Sequence, residues 1–158
     1  MTRPILFVDM DNVLVDFSSG IARLDDATRT QFQGRLDEVP GIFSLMDPVD
    51  GAVEAFTELA ETYDTFILST APWLNPSAWA DKVRWTHQHL RSITADGPAY
   101  KRLILSHRKD LLTGDYLIDD RPNNGAQKFR GRWLQFGSAE FPNWSALKTY
   151  LMDAAGTR

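Results

Sequence analysis

Four short apolar runs, each breaking off into polar residues, constrain this chain more than any other feature. Residues 4–8 run into Asp9-Met10-Asp11-Asn12, and residues 65–68 run into Ser69-Thr70. Residues 116–118 run into Asp119-Asp120-Arg121-Pro122, and residues 133–136 stop at Gly137. A shorter fifth candidate spans residues 103–105. Apolar residues at consecutive rather than alternate positions belong to strands covered on both faces. Helical spacing fills the gaps between them. Val53, Phe56, Leu59 and Ala60 predict a helix over 52–62 with Asp50 as its N-cap. Trp79, Val83 and Leu90 predict one buried face for a helix over 76–90, with Asn75 as N-cap and Pro76 at the first helical position. A last helix is expected over about 145–154. Strands alternating with helices give an α/β fold, a doubly wound parallel sheet.

One stretch falls outside this alternation. Between Phe17 and Asp47, Ile21, Leu24, Phe32 and Leu36 suggest a short helical insert, interrupted by Gly34 and closed by Pro40-Gly41. At about 30 residues it is too small for an independent core. It is read as a cap over residues 18–47 of a single domain spanning 1–158, placed to act as a lid on the sheet.

Composition removes several functions. The 158 residues carry a formal charge of −4 and no basic run, which argues against a nucleic-acid polymer as partner. Cysteine is absent, so disulfides, cysteine–zinc sites and thiol catalysis are excluded. The first apolar run is cut off at Asp9, too short for a signal-peptide core, and no run approaches the ~20 residues of a membrane span. A soluble, cytoplasmic protein is expected, with no membrane partner.

Parallel sheets bind ligands beyond the C-terminal ends of their strands. Three strand ends here bear complementary chemistry: Asp9 and Asp11, Ser69 and Thr70, Asp119 and Asp120. Four carboxylates about 4 Å apart would repel by roughly 4 kcal/mol per close pair at an effective dielectric near 20. They would protonate or spread unless a cation sat among them. An all-oxygen set with room for water and phosphate suits Mg²⁺. Lys109, in the polar loop Ser106-His107-Arg108-Lys109, adds a positive charge at the same edge. Carboxylates, a metal, a hydroxyl and a lysine are what phosphoryl transfer requires, because that chemistry is mostly positioning and charge neutralisation.

In this order the motifs resemble those of haloacid dehalogenase (HAD)-superfamily phosphatases: Asp9-Met10-Asp11-Asn12-Val13 first, then Ser69, Lys109 and Asp119-Asp120. DMDNVLVDF from Asp9 to Phe17, LSTAPW from Leu68 to Trp73 and LIDDRP from Leu117 to Pro122 are similar to the 5′(3′)-deoxyribonucleotidase branch. The resemblance runs from Ile5 to Gly137 and implies a role for each matching residue. Asp9 would be the nucleophile that becomes a phosphoaspartate. Asp11 would protonate the leaving sugar oxygen and then deprotonate the hydrolytic water. Ser69, with help from Thr70, would bind a phosphoryl oxygen, and Lys109 would neutralise charge on the phosphate and on Asp9. Mg²⁺ would be held by Asp9, the backbone carbonyl of Asp11, and the Asp119-Asp120 pair. The resemblance does not say which of that pair touches the metal; the preferred assignment gives the place to Asp120 and leaves Asp119 to orient Lys109. Phe17 and Trp73 would line the pocket for the nucleobase. The implied substrate is a nucleoside monophosphate, and a homodimer is compatible with the resemblance. The chain departs from the mammalian-type pattern in its much shorter cap.

Taken singly, these residues have plainer readings. Asp9-Met10-Asp11 and Asp119-Asp120 each suit a solvated turn after a strand, and Lys109 suits a charged loop. Phe17 and Trp73 suit the core; Trp79, Trp133 and Trp144 are read as packing. His87 and His89 lie two apart on a predicted helix and so face different directions, which argues against a metal pair. His107 lies near Lys109. Two other functions stay open: hydrolysis of another phosphate ester such as a phosphosugar, and a phospho-accepting receiver or non-catalytic binding module. Against the receiver, the middle strand ends in Ser69 rather than an acid, the acid pair comes late, and Asp11 supplies an acid–base group that a receiver does not need.

Overall fold

The computed structural model describes residues 2–157. The first strand, β1 (Ile5–Val8), is followed by a tight turn and the short strand β2 (Val15–Asp16). Helices α1 (Phe17–Ala22) and α2 (Asp26–Gln31) and two 3₁₀ turns (Leu36–Glu38, Ile42–Leu45) lead to β3 (Asp47–Pro48). Then come α3 (Ala52–Thr62), β4 (Asp64–Ser69), α4 (Pro76–His89) and β5 (Leu103–Leu105). The chain finishes with β6 (Tyr116–Asp119), β7 (Arg132–Gln135) and α5 (Trp144–Gly156). Five strands form one parallel sheet in the order β5-β4-β1-β6-β7, so the predicted α/β fold and all five predicted strands are present. The chain winds outward from β1 through β4 to β5, then crosses to β6 and winds the other way. That reversal opens a crevice at the C-terminal ends of β1, β4 and β6.

The pleat divides the apolar runs between two faces. Leu6, Val8, Ile67, Ile118 and Leu134 pack with α3, α4 and α5 through Phe56, Leu59, Trp85, Trp144 and Leu147. Phe7, Leu68 and Leu117 face the other way, onto Ala126 and Phe129. Among the described residues no α-helix covers this second face; 3₁₀ turns at Lys109–Leu111 and Ala126–Lys128 cover it instead. Burying Val, Leu, Ile or Phe side chains on both faces stabilises the sheet by about 1.5–3 kcal/mol each.

The β1 exit sets the first part of the site. Met10 O accepts hydrogen bonds from the backbone N–H groups of Val13, Leu14 and Val15 at 2.8–3.0 Å. Asn12 takes a left-handed conformation (φ 59°) within this turn, one that Asn tolerates better than most side chains. The turn delivers the chain to an antiparallel β2–β3 pair, and the segment carrying α1 and α2 grows out between those two strands. Ile21, Leu24, Phe32 and Leu36 of that segment pack half-buried against the main core.

Two local expectations are corrected. Gly51, not Asp50, is the N-cap of α3; its φ of +75° is the left-handed region, and no side chain caps the helix. On α4, Trp79 and Val83 point outward at 36% and 39% exposure, while Ala78, Asp81, Lys82, Trp85 and Thr86 are buried. Of the predicted face only Leu90, just past the helix end, is inside. Asn75 does occupy the N-cap position, yet its side chain does not cap the helix. Its amide instead donates to Asp37 O and Val39 O at 2.8 and 3.0 Å, tying α4 to the segment between β2 and β3.

Candidate active site

Asp9 follows β1 directly, and its backbone N–H donates to Ile118 O at 2.9 Å, which locks the strand end to β6. Asp119 is the last residue of β6. Lys109 reaches both from the 3₁₀ turn between β5 and β6: its Nζ lies 2.9 Å from Asp9 Oδ1 and 2.5 Å from Asp119 Oδ2. All three side chains are buried. The turn itself is pinned by a bond from Lys109 N–H to Asn124 O at 2.8 Å. Gly125 makes that approach feasible, since a Cβ there would fall 2.3 Å from Asp110 Oδ1, and its φ is +86°.

The acidic cluster is electrostatically loaded. Burial pushes the Asp119 carboxyl up to about 7, helped by the Asp9 charge and opposed by Lys109. Asp120 is also raised, by burial first and then by Asp9, with Arg121 opposing. For Lys109, burial acts to lower its pKa, but Asp9 and Asp119 outweigh it and hold the ammonium above its ordinary value. Both Asp119 oxygens are engaged, Oδ2 by Lys109 and Oδ1 by the backbone N–H of Arg121 at 3.1 Å. Asp120 Oδ1, by contrast, is buried without a hydrogen-bond partner. Ligand atoms of Asp9, Asp119 and Asp120 all lie within 4.8 Å of one another. An orphaned buried carboxylate oxygen in an all-oxygen set fits a hard divalent cation.

Asp11 sits beside this cluster with a different cation. Lys82 Nζ donates to Asp11 Oδ1 at 2.6 Å and to Ser69 Oγ at 3.0 Å. Burial holds Asp11 above the usual carboxylate range; Lys82 opposes the rise and Asp9 reinforces it. Lys82 is one of the site residues that the sequence reading missed. It lies on the same α4 stripe as Ala78, Trp85 and Thr86, so a lysine in register with the inner face of an amphipathic helix was the available signal.

A cavity of about 470 Å³ opens above Asp11, walled by Phe17, Leu36, Asp37, Thr70, Trp73, His107, Arg121, Asn123 and Asn124, among others. Asp11, Thr70, Arg121, Asn123 and Asn124 also line the small recess that holds Asp9, Lys109 and Asp119, so the cavity floor meets the acidic cluster. Of the residues expected at the site, Asp9, Asp119, Asp120 and Lys109 come together, and Asp11, Thr70, Phe17 and Trp73 border the cavity. Thr70 Oγ1 donates to Ser106 O at 2.7 Å, and the residue lines both the cavity and the recess. Ser69 is fully buried and lines neither the cavity nor the recess; its hydroxyl meets Lys82 instead. Phe17 is half-buried against Phe43, whereas Trp73 is 76% exposed with its ring 5.7 Å from His107. Trp144 packs in the core, while Trp133 is half-buried and donates to Asp119 O at 3.1 Å. His87 and His89 stand away from the site on α4, and His107 joins the cavity wall.

Comparison with known proteins identifies the family and the fold. A model of the family described as "5′ nucleotidase, deoxy (Pyrimidine), cytosolic type C protein" matches residues 29–143. A protein of Vibrio phage KVP40 named "Putative 5′(3′)-deoxyribonucleotidase" is 52% identical over 94% of this chain and 85% of its own length. The human cytosolic-type 5′(3′)-deoxyribonucleotidase is 31% identical over 84% of this chain and 79% of its own. A haloacid dehalogenase-like family hydrolase from Xanthomonas campestris shares the fold, with a TM-score of 0.55, 11% identity and 99% of both chains covered. So does a HAD-hydrolase from Bacillus subtilis solved with magnesium, with a TM-score of 0.53, 14% identity and 90% of both chains covered. The chain belongs to the 5′(3′)-deoxyribonucleotidase family and has the HAD-hydrolase fold.

Proposed function

We propose that this protein is a Mg²⁺-dependent phosphomonoesterase that releases phosphate from nucleoside monophosphates, 5′(3′)-deoxyribonucleotides foremost, through an aspartyl-phosphate on Asp9. The observation that carries the reading is Lys109 Nζ held 2.9 Å from Asp9 Oδ1 beneath a cavity whose floor also presents Asp11. Lys109 keeps the Asp9 oxygen oriented and adds positive charge where the phosphoryl group would sit. Asp119, with both oxygens engaged, fixes Lys109. Asp9, Asp120 and the backbone carbonyl of Asp11 would hold Mg²⁺, which when bound would neutralise charge on the carboxylates and the phosphoryl oxygens.

An Asp9 oxygen attacks phosphorus, and the bond from phosphorus to the sugar oxygen breaks. Asp11 gives its proton to that departing oxygen, and the nucleoside leaves. The deprotonated Asp11 then takes a proton from water as the water oxygen attacks phosphorus. The bond to Asp9 breaks, inorganic phosphate leaves, and Asp11 is again protonated. Its elevated pKa suits the first half of this cycle. Phe17 and Trp73, on the cavity wall, offer aromatic faces for a nucleobase.

Phosphate release from a panel of deoxy- and ribonucleoside monophosphates and phosphosugars, with Mg²⁺ and with EDTA, tests this. Metal-dependent release favouring deoxynucleotides is expected. Release from phosphosugars alone would discard the nucleotide reading, and no release from any ester would discard the hydrolytic one.

A further inference from the structure

We infer that Lys82 is a positioning residue for Asp11, fixing the orientation in which that carboxyl exchanges its proton with the departing sugar oxygen. The inference rests on the acid–base reading of Asp11 above.

Two lysines are buried in this molecule near the site, and they divide the carboxylates between them. Lys109 pairs with Asp9 and Asp119. Lys82, with 0% exposure, forms its ion pair with Asp11 at 2.6 Å. Lys82 Nζ donates to Asp11 Oδ1 in either protonation state of that carboxyl, as an ion pair when Asp11 is ionised and as a charge-assisted hydrogen bond to its carbonyl oxygen when the proton sits on Oδ2, so the same oxygen is restrained throughout. The other contacts of Lys82 leave it little freedom. Ser69 Oγ accepts at 3.0 Å, and the ring of Phe43, from the segment between β2 and β3, lies 4.5 Å from Nζ. Lys82 is thus gripped by β4 and by the cap segment while it grips Asp11.

The consequence concerns one oxygen. With Oδ1 accepting from Lys82, the proton that Asp11 transfers resides on Oδ2, and the Lys82 contact decides where Oδ2 points. A carboxyl free to rotate would spend most of its time out of line with the leaving oxygen, and misplacement by about 1 Å at such a site lowers rates by roughly 10²-fold. The bond changes are those already given: the proton on Asp11 passes to the sugar oxygen as its bond to phosphorus breaks, and returns from water in the second half.

The test compares two phosphate esters in the presence of Mg²⁺: a deoxynucleoside monophosphate, whose leaving alkoxide needs the proton, and p-nitrophenyl phosphate, whose leaving phenolate does not. For Lys82→Met, kcat on the nucleotide is expected to fall about 10²–10³-fold, within the range that general acid catalysis supplies. KM should stay within about threefold, the pattern of an interaction made in the transition state. In a single turnover, p-nitrophenolate release should fall less than about fivefold, since that step bypasses the acid. Lys82→Arg, which can still reach a carboxylate, should recover at least about tenfold of the nucleotide rate. On an Asp11→Asn background, Lys82→Met should add no further loss. If Lys82→Met melts below the assay temperature, Lys82→Gln, which keeps a donor, carries the same comparison.

Equal losses on both esters, a change confined to KM, or an additional loss on the Asp11→Asn background would overturn the inference. An Asp11→Asn variant with parental nucleotide turnover would instead overturn the acid–base reading beneath it.

Discussion

Lys109 and Asp119 lie ten positions apart in sequence and form a buried ion pair of 2.5 Å, the shortest contact made by either residue in the acidic cluster. That pairing leaves the two adjacent aspartates with different contacts. Asp119 is committed to Lys109 and to the Arg121 N–H, while Asp120 keeps a buried oxygen without a partner. Asp120→Asn is therefore expected to raise the Mg²⁺ concentration for half-maximal activity by at least about tenfold, the scale of perturbing a metal site. Asp119→Asn should act mainly on stability, removing about 1.5–3 kcal/mol with the charge-assisted hydrogen bond from Lys109, which keeps Asp9 as its other partner. Titrating Mg²⁺ against activity for both variants, beside their melting temperatures, checks the split. Identical metal dependence in the two variants would contradict it.

Asp9 is the charge common to the cluster. After burial, its carboxylate is among the causes that raise Asp11, Asp119 and Asp120. Asp9→Asn should lower turnover at least about 10³-fold, as loss of a nucleophile does. In EDTA its melting temperature should be no lower than that of the parent, because the repulsion is relieved. Substantial residual turnover in a folded Asp9→Asn protein would remove Asp9 from the nucleophile's place.

The elevated carboxyls also set a pH dependence. Asp119 titrates at about 7 in the folded chain, against roughly 3.9 when unfolded. Between these values the folded state binds more protons than the unfolded state, so stability decreases as pH rises. The metal-free protein should lose up to about 1.4 kcal/mol per pH unit from this group between about pH 4 and 7. Asp11 and Asp120, shifted the same way, add to the trend. Mg²⁺ should flatten the slope, since a bound cation favours the ionised carboxylates. Thermal melts in EDTA and in Mg²⁺ from pH 5 to 7.5 read this directly, and stability in EDTA that climbs over that range would contradict it.

Trp73 stands at the cavity mouth with most of its ring in solvent, so its removal should leave the core untouched. Stacking of a base on an aromatic ring contributes about 1–3 kcal/mol by alanine substitution. Trp73→Ala should lower kcat/KM for a deoxynucleotide by roughly 5- to 150-fold, with an unchanged melting temperature. The same variant should handle a phosphosugar as the parent does. An equal effect on both substrates would take the base off Trp73.

The sheet was legible because its strands are marked by consecutive apolar residues, and the acids were legible because they interrupt those runs at Asp9 and Asp119. What stayed hidden was hidden by chemistry that contradicts local pattern. Lys82 is a charged residue on a buried helix stripe, so an apolar-only reading of α4 selected the neighbouring stripe of Trp79 and Val83, which faces solvent. Asp50 has a capping side chain, but the backbone reversal falls one residue later, at Gly51. Ser69 matches the motif position of a phosphate-binding hydroxyl, yet the partner that engages it comes from α4, 13 residues away. Such contacts depend on how α4 docks, which strand and helix periodicity do not encode.

The most direct test of the account is to trap the covalent intermediate. The enzyme would be mixed with a deoxynucleoside monophosphate and Mg²⁺, quenched in acid during turnover, reduced with borohydride, and mapped by mass spectrometry. An aspartyl-phosphate reduces to homoserine, whereas a free carboxyl does not. The account predicts homoserine at position 9, only when substrate is present and never in Asp9→Asn. An unmodified Asp9 under conditions of rapid turnover, or homoserine at another aspartate, would contradict it.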